Sequence, residues 1–428
     1  MIKRPFFSLS TPKLKYPAKG SYKEEDITEI DLPDTITLLI EQFNSNNGAI
    51  DLTDLKQVTT GQKIPLSEDG QNYLISTATG SVIEACAFTG YMGKPYTSIS
   101  IKTEVKDQWD DAFKKAGDTV SAENALAFLR SLPGEADLAR LLDPDKPLDT
   151  IVINGMDDDL LVTTNQAVVH LALKDLAQGI RYLKQITHVN DVFLTIPSDI
   201  NLKPYGMGAE IKTIDPIYPN AIAQMVMKNI VGRIVPAGKS SRDMGVGFIN
   251  AEAVAALGSA FLKKELPIYK TLTIIKKDYT TTIARARIGT PIKHILAAFN
   301  IETNHGDRIV MGGPMKGVFA YSEDMPIQWD TDAVMIQDKE QIISCEDTPC
   351  INCGECIRVC PAKIPVNMLV RLLENGHYEE GAEEYDLLAC IECGLCAYVC
   401  TAQIPILHYI MLGKYEFGRI KRAEETNA

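Results

Sequence analysis

Eight cysteines near the end of the sequence carry its plainest chemistry. Cys350, Cys353, Cys356 and Cys360 follow the spacing C-x-x-C-x-x-C-x-x-x-C with Pro361 next, and Cys390, Cys393, Cys396 and Cys400 repeat it with Thr401 in place of the proline. Thiolates are soft donors suited to iron–sulfur clusters. Three of them two residues apart can wrap one cubane from a tight loop, and a fourth has to come from elsewhere in the chain. Tetrahedral zinc takes two C-x-x-C pairs set well apart. Two [4Fe-4S] clusters are therefore the expected cofactors, with zinc as the alternative. Of ten cysteines only Cys345 and Cys86 are left over, and each is expected to be a free, partly buried thiol.

In two-cluster ferredoxins the fourth ligand of each cluster comes from the other motif. On that pattern one cluster takes Cys350, Cys353, Cys356 and Cys400, and the other takes Cys390, Cys393, Cys396 and Cys360. Gly354 and Gly394 stand at equivalent places in the two loops, where a missing Cβ lets backbone amides approach the sulfurs. The spacer between the motifs has an apolar helical face in Val366, Leu369, Val370, Leu372 and Leu373, with Gly376 as its stop. An α-helical two-cluster ferredoxin-type domain over residues 337–428 is expected.

The elements upstream fall into three rhythms. Residues 1–105 alternate in short runs, such as Thr35 to Ile40 and Tyr73 to Thr77, broken by turn signals, and read as a small β domain. Residues 106–265 place strands at Thr150 to Ile153, Val192 to Ile196, Ala209 to Ile214 and Val246 to Ile249 between helical stretches. Ser121 caps Ala122 to Arg130, and Thr164 caps one long stretch with Val168, Leu171, Ala172, Leu176, Ile180 and Leu183 on a single face. Asn220 opens a helix to Ile230 closed by Gly232, and Asn250 caps Ala251 to Lys263. That alternation predicts a Rossmann-like, doubly wound α/β domain. Residues 266–336 return to period two, with paired strands at Thr271 to Ile275 and Thr281 to Ile288, and one helix from Ile292 to Phe299. They predict a small α+β module. The chain is thus read as multidomain α/β and α+β.

Fifty-six acids against 43 Lys plus Arg give a formal charge of −13, which repels nucleic acid. Two oxidised clusters of about −2 each would take it to about −17. No signal-peptide pattern and no run of eighteen apolar residues is present, so a cytoplasmic chain with reduced thiols is expected. Leu387 to Leu412 is apolar on average but carries Glu392, Gln403 and four cysteines, and reads as a cofactor wrap. The six histidines are scattered. No acid–base or nucleophilic constellation forms, so no catalytic residue is expected.

Several motifs carry a family resemblance. Tyr218-Pro219-Asn220, the run Gly232 to Gly238, Asp243 to Gly247, Arg287 to Pro291, Met311 to Gly317 and the cysteine repeat resemble the RnfC family, the two-cluster component of the Rnf ion-translocating ferredoxin:NAD oxidoreductase. The resemblance implies a β-grasp-like, SLBB-type module at 266–336 and an α/β domain related to the flavin subunit of respiratory complex I. It implies other subunits of a membrane electron transport complex and a soluble electron carrier as partners. The chain would then be peripheral on the inner face of the cell membrane, held there by those subunits. In that family the α/β domain binds FMN and NADH through G-x-G-G-A-G-F-P-T ahead of a helix. Here the corresponding place reads Ser131-Leu132-Pro133-Gly134-Glu135-Ala136-Asp137, and a single glycine cannot cradle a phosphate as four do. The family's acidic segment reads Asn154-Gly155-Met156-Asp157-Asp158-Asp159-Leu160, with Asn165 at the later acidic position. Asn154, Asp157 and Asp159 are thus the candidates for a residual FMN or NADH site, against the simpler reading of the three aspartates as a solvated loop at a strand end. Gly245 and Gly247 read as packing glycines.

The expected function is electron relay through two clusters in an Rnf-type complex, with direct NADH oxidation opposed by the missing glycine loop. A soluble or differently partnered iron–sulfur oxidoreductase subunit is one alternative. A cluster-stabilised docking scaffold is another.

Overall fold

The computed structural model describes residues 12–41, 56–66, 73–90, 95–135, 137–200, 206–342 and 348–427. Four sheets and a helical end segment make up the described chain. The first is an antiparallel sheet of Thr35–Glu41, Pro95–Thr103, Gly80–Thr89 and Gln57–Val58 in that spatial order, beside a two-stranded ribbon of Lys63–Pro65 and Tyr73–Ile75. Cys86 lies on Gly80–Thr89, where residues Ile83 to Ala87 run beyond any covering layer. Its thiol is exposed, not partly buried as the sequence suggested.

The sheet that positions the site is parallel throughout, in the order Glu210–Ile214, Asp191–Pro197, Thr150–Asn154, Val246–Asn250. Its two central strands, Asp191–Pro197 and Thr150–Asn154, are buried at successive positions because both faces are covered. Ile151 and Ile153 point into a core with Leu176, Ile180, Leu183, Val254, Leu257 and Phe261 of the helices Leu173–Thr187 and Ala251–Lys263. Those two helices touch backbone to backbone. A Cβ on Gly179 would lie 1.8 Å from the Val254 carbonyl oxygen, and one on Gly258 2.0 Å from that of Asp175. Val152 and Val246 point the other way, into a core with Tyr16, Tyr218, Met227, Cys393, Leu395 and Val399. The second cysteine motif is therefore packed on the flat face of the parallel sheet.

Two helical expectations need correction. The stretch from Thr164 is two helices, Thr164–Leu171 and Leu173–Thr187, because Ala172 leaves helical geometry. The first is buried at its six leading residues and the second along one stripe, which one straight helix could not satisfy. The helix expected from Asn220 is a four-residue turn, Ala223–Val226, widening into a π-turn at Met227–Val231. Gly232 closes it at φ +77°, as the C-terminal glycine pattern requires.

A six-stranded mixed sheet follows, ordered Ile27–Glu29, Thr281–Arg287, Tyr269–Ile275, Ala333–Gln337, Arg308–Met311, Val318–Ala320, with the helix Ile292–Ala298 packed on it. Its edge strand comes from the first hundred residues, since Ile27 pairs in parallel with Ile283.

The end segment carries an internal repeat with an offset of forty residues. Helices Glu355–Val359 and Leu395–Val399 correspond, each capped by a glycine with positive φ, Gly354 and Gly394. Asn352 and Glu392, then Lys363 and Gln403, share the left-handed conformation at the same offset. Between the copies lie Val366–Glu374 and Tyr378–Glu383, and Ile406–Asn427 closes the segment.

Candidate iron–sulfur site

The two motifs fold around two small cavities. One is lined by Cys350, Cys353, Cys356 and Cys400 with Val370, Ile404 and Ile406. The other is lined by Cys360, Cys390, Cys393 and Cys396 with Ile364, Leu407 and Ile410. Each cavity draws three thiols from one motif and one from the other. The crossing arises because Cys360 and Cys400 end the short helices Glu355–Val359 and Leu395–Val399 in extended conformation and leave their own loops. Those two helices pack against each other. Among the described residues no three His, Cys, Asp or Glu side chains gather as the ligands of one metal ion do. The thiols surround a space instead, and four soft donors around an apolar-walled space are the donor set an iron–sulfur cubane uses. Cys345 lies outside the described residues.

The thiol electrostatics follow the same grouping. Burial pushes Cys356 up to about 11, with Cys350, Cys353 and Cys400 adding repulsion. Burial likewise pushes Cys393 up to about 11, with Cys390 and Cys360 adding to it. Thiols with raised values stay protonated at neutral pH, so loading iron displaces protons.

Three residues without a thiol support the second cavity. The Tyr218 hydroxyl donates to the Cys393 carbonyl at 2.6 Å. Lys414, on the closing helix, donates to the Cys390 carbonyl and to Glu392, each at 2.7 Å. The Met315 carbonyl presses on Gly394, where a Cβ would lie 2.7 Å from its oxygen. Lys414 stands fourteen residues past Cys400, where no motif marks it. Tyr218 and Met315 lie within quoted motifs, but their contact with the cluster loop is a tertiary property.

The aspartate loop is not solvated, contrary to the simpler sequence reading. Asp157 and Asp159 are 4% and 5% exposed. Asp157 caps the helix Thr164–Leu171, accepting from Asn165 N at 2.9 Å and Asn165 Nδ2 at 3.1 Å. Thr164 is therefore not the cap. Asp159 accepts from the amides of Leu160, Met315 and Lys316 at 2.7, 3.0 and 2.8 Å. It thus ties the strand end to the glycine-rich loop that presses on Gly394. Burial raises the two carboxyls to about 7 and about 6. Asp158 is exposed and pairs with Lys316.

Asn154 donates to Asn250 at 3.3 Å, and Asn250 donates to the Gly134 carbonyl at 2.9 Å. Gly134, at φ +87°, lies against the start of the helix Ala251–Lys263, 3.3 Å from Ala253 N as measured to a built Cβ. The Glu252 carboxylate fills the space beside it, bound to the fully buried Lys270, which Asp332 also holds at 2.9 Å. In open α/β sheets a phosphate sits at such helix starts beyond the carboxyl ends of the strands. Here Asp157 occupies one start and Gly134 covers the other. A cavity of about 340 Å³ lies alongside, walled by Asp157, Asp158, Asp159, Asp330 and Asp332 against Lys316. An aspartate-rich lining with Lys316 as its cation among the described residues offers a phosphate little to pair with. Gly247 packs on Leu141 and Leu148, in agreement with its reading as a packing glycine, whereas Gly245 takes φ +75° and ends the turn Arg242–Met244.

Residues 342–401 match the family described as a 4Fe-4S dicluster domain. Over 358 residues the chain is 26% identical to the C component of an ion-translocating oxidoreductase complex from Pectobacterium carotovorum, a match covering 78% of this chain and 48% of that protein. Over 317 residues it is 26% identical to the C component of the proton-translocating ferredoxin:NAD(+) oxidoreductase complex of Clostridium ljungdahlii, covering 68% of each. The chain thus spans about half the length of the first relative. Among solved structures, an NAD+-reducing [NiFe]-hydrogenase in the H2-reduced state aligns at TM-score 0.46 and 10% identity, covering 70% of this chain and 65% of that one. No helix among the described residues is long and apolar enough to cross a membrane. The dicluster domain and these relatives together make the chain similar, over most of its length, to the RnfC-type component of the ion-translocating oxidoreductase complexes.

Proposed function

We propose that this chain is the electron-relay subunit of an ion-translocating, membrane-associated oxidoreductase complex. It passes electrons through two [4Fe-4S] clusters between a soluble carrier on the ferredoxin and NADH side and membrane flavoprotein subunits. The observation that carries the reading is the pair of thiol cavities, each drawing three cysteines from one motif and one from the other. Cys350, Cys353, Cys356 and Cys400 hold one cluster, and Cys360, Cys390, Cys393 and Cys396 hold the other. Bound clusters supply one-electron transfer at potentials set by charge, burial and hydrogen bonds. The chain's own residues hold the two sites side by side through the packed helices Glu355–Val359 and Leu395–Val399. In this reading direct FMN and NADH chemistry on this chain is disfavoured, because the helix starts that would take their phosphates are occupied and the adjoining cavity is rich in aspartate. Attachment to the membrane runs through partner subunits. The parallel sheet is read as Rossmann-like, and the six-stranded sheet with its helix as the β-grasp-like module.

Serine variants of the reconstituted protein test the assignment. The wild type should carry about eight iron and eight sulfide per chain and no flavin. Cys350→Ser and Cys400→Ser should abolish the same electron paramagnetic resonance signal, and Cys360→Ser and Cys390→Ser the other. Loss of one signal in both Cys400→Ser and Cys390→Ser, or stoichiometric flavin, overturns the reading.

A further inference from the structure

The forty-residue repeat makes the two cluster loops alike in backbone, but their surroundings differ. Cys353 is half-buried and its sulfur faces the Thr401 hydroxyl at 3.9 Å. Its counterpart Cys393 is buried, and the phenol of Tyr218 donates to its carbonyl at 2.6 Å. Tyr218 is 2% exposed, and its placement is fixed on several sides. Its amide donates to the Leu14 carbonyl at 2.8 Å, the Tyr16 amide donates to Pro216 at 3.0 Å, and the two rings stand 5.4 Å apart. The phenol comes from the segment that covers the parallel sheet, so the contact joins that unit to the second cluster loop.

A hydrogen bond in a buried site acts in a weakly polarisable medium, where its dipole counts for more than in water. The Tyr218 O–H bond directs its positive end at the peptide of a cluster cysteine. That orientation favours the more negative, reduced state of a cluster bound by Cys393. The same bond fixes the Cys393 to Gly394 turn, after which the Leu395 amide faces the Cys393 sulfur. Amide hydrogen bonds to cluster sulfurs are among the determinants of potential.

We infer that Tyr218 is a positioning residue that raises the reduction potential of the cluster held by Cys360, Cys390, Cys393 and Cys396 and so sets the two clusters of the repeat at different potentials. The inference rests on the ligand assignment proposed above. The phenol remains protonated throughout and takes no part in proton transfer. It acts through the carbonyl it binds.

The test is a potentiometric titration of the full chain, reconstituted anaerobically, with each cluster followed by its paramagnetic signal and with iron and sulfide counted first. Tyr218→Phe should retain both clusters. At a fixed potential the reduced-to-oxidised ratio of one cluster should fall about two- to threefold, the part of one hydrogen bond's worth that differs between the two redox states, while the other is unchanged. Tyr16→Phe removes a neighbouring buried hydroxyl that makes no hydrogen bond to the cluster loop, and should move neither potential. Unchanged potentials in Tyr218→Phe, equal shifts in both clusters, or loss of iron from the variant would each overturn the inference, the last by showing a structural role only. A wild type that fails to load two clusters would instead sink the ligand assignment itself.

Discussion

Gly354 and Gly394 allow one substitution to be made twice in the same local backbone. Their φ angles are +75° and +71°, so alanine at either meets the left-handed penalty of about 1–2 kcal/mol. Beyond that they differ. Nothing lies within 4 Å of a Cβ on Gly354, whereas one on Gly394 would sit 2.7 Å from the Met315 carbonyl oxygen. Backbone is harder to displace than a side-chain tip, and this stretch is held by the Asp159 carboxylate through the amides of Met315 and Lys316. Overpacking of this kind costs about 1–3 kcal/mol more. Gly394→Ala should therefore destabilise by roughly 2–5 kcal/mol, against about 1–2 kcal/mol for Gly354→Ala. The measurement is denaturant unfolding of the apo-proteins and of the loaded proteins, the latter followed by bleaching of the cluster absorbance. Equal midpoints for the two variants would refute the claim that the glycine-rich loop bears on the second cluster site.

Two other outcomes follow from buried charge. Asp157 has its carboxyl raised from 3.8 to about 7 by burial, with Asp332 adding repulsion and the helix amides opposing it. The folded state then binds a proton more tightly than the unfolded one, so the stability due to this group is full below about pH 4 and is lost as pH rises through about 7. Asp157→Asn should flatten that segment of the stability profile, measured by urea unfolding at a series of pH values, and an unaltered slope would count against the burial argument. Lys270 is fully buried between Glu252 and Asp332, and Lys270→Met should cost about 3–5 kcal/mol by leaving both carboxylates unpaired. Urea midpoints measure this, and a loss below about 1 kcal/mol would mean water reaches the pair.

The local features of this chain were legible where one short stretch decides them. Strands at Thr150–Asn154 and Val246–Asn250, the helix Ala251–Lys263 and the two cluster loops follow from periodicity and spacing, although the Asn250 side chain expected to cap that helix reaches the Gly134 carbonyl instead. What escaped was decided by contacts distant in sequence. Asp157, Asp158 and Asp159 look alike in a row, but the middle one faces solvent while its neighbours are buried, because Asp159 meets a loop 156 residues away. The break at Ala172 answers to two different burial demands, which a single apolar stripe cannot reveal. Ile27–Glu29 joins a sheet built from strands some 250 residues later, a pairing no local pattern encodes. Tyr218 and Lys414 bind carbonyls of cluster cysteines, so their part in the site has no signature of its own.

The second cysteine motif leans on Val152 and Val246, on the broad side of the parallel sheet, while Gly134, Asn250 and Asp157 crowd the rim at the ends of its strands. Mount and rim share strands but lie at different points along them. A chain could gain or lose a phosphate-cradling loop at that rim by exchanging a few residues near Gly134, with the support beneath the cysteines left intact. Redox wiring and nucleotide chemistry are in this architecture separable inheritances.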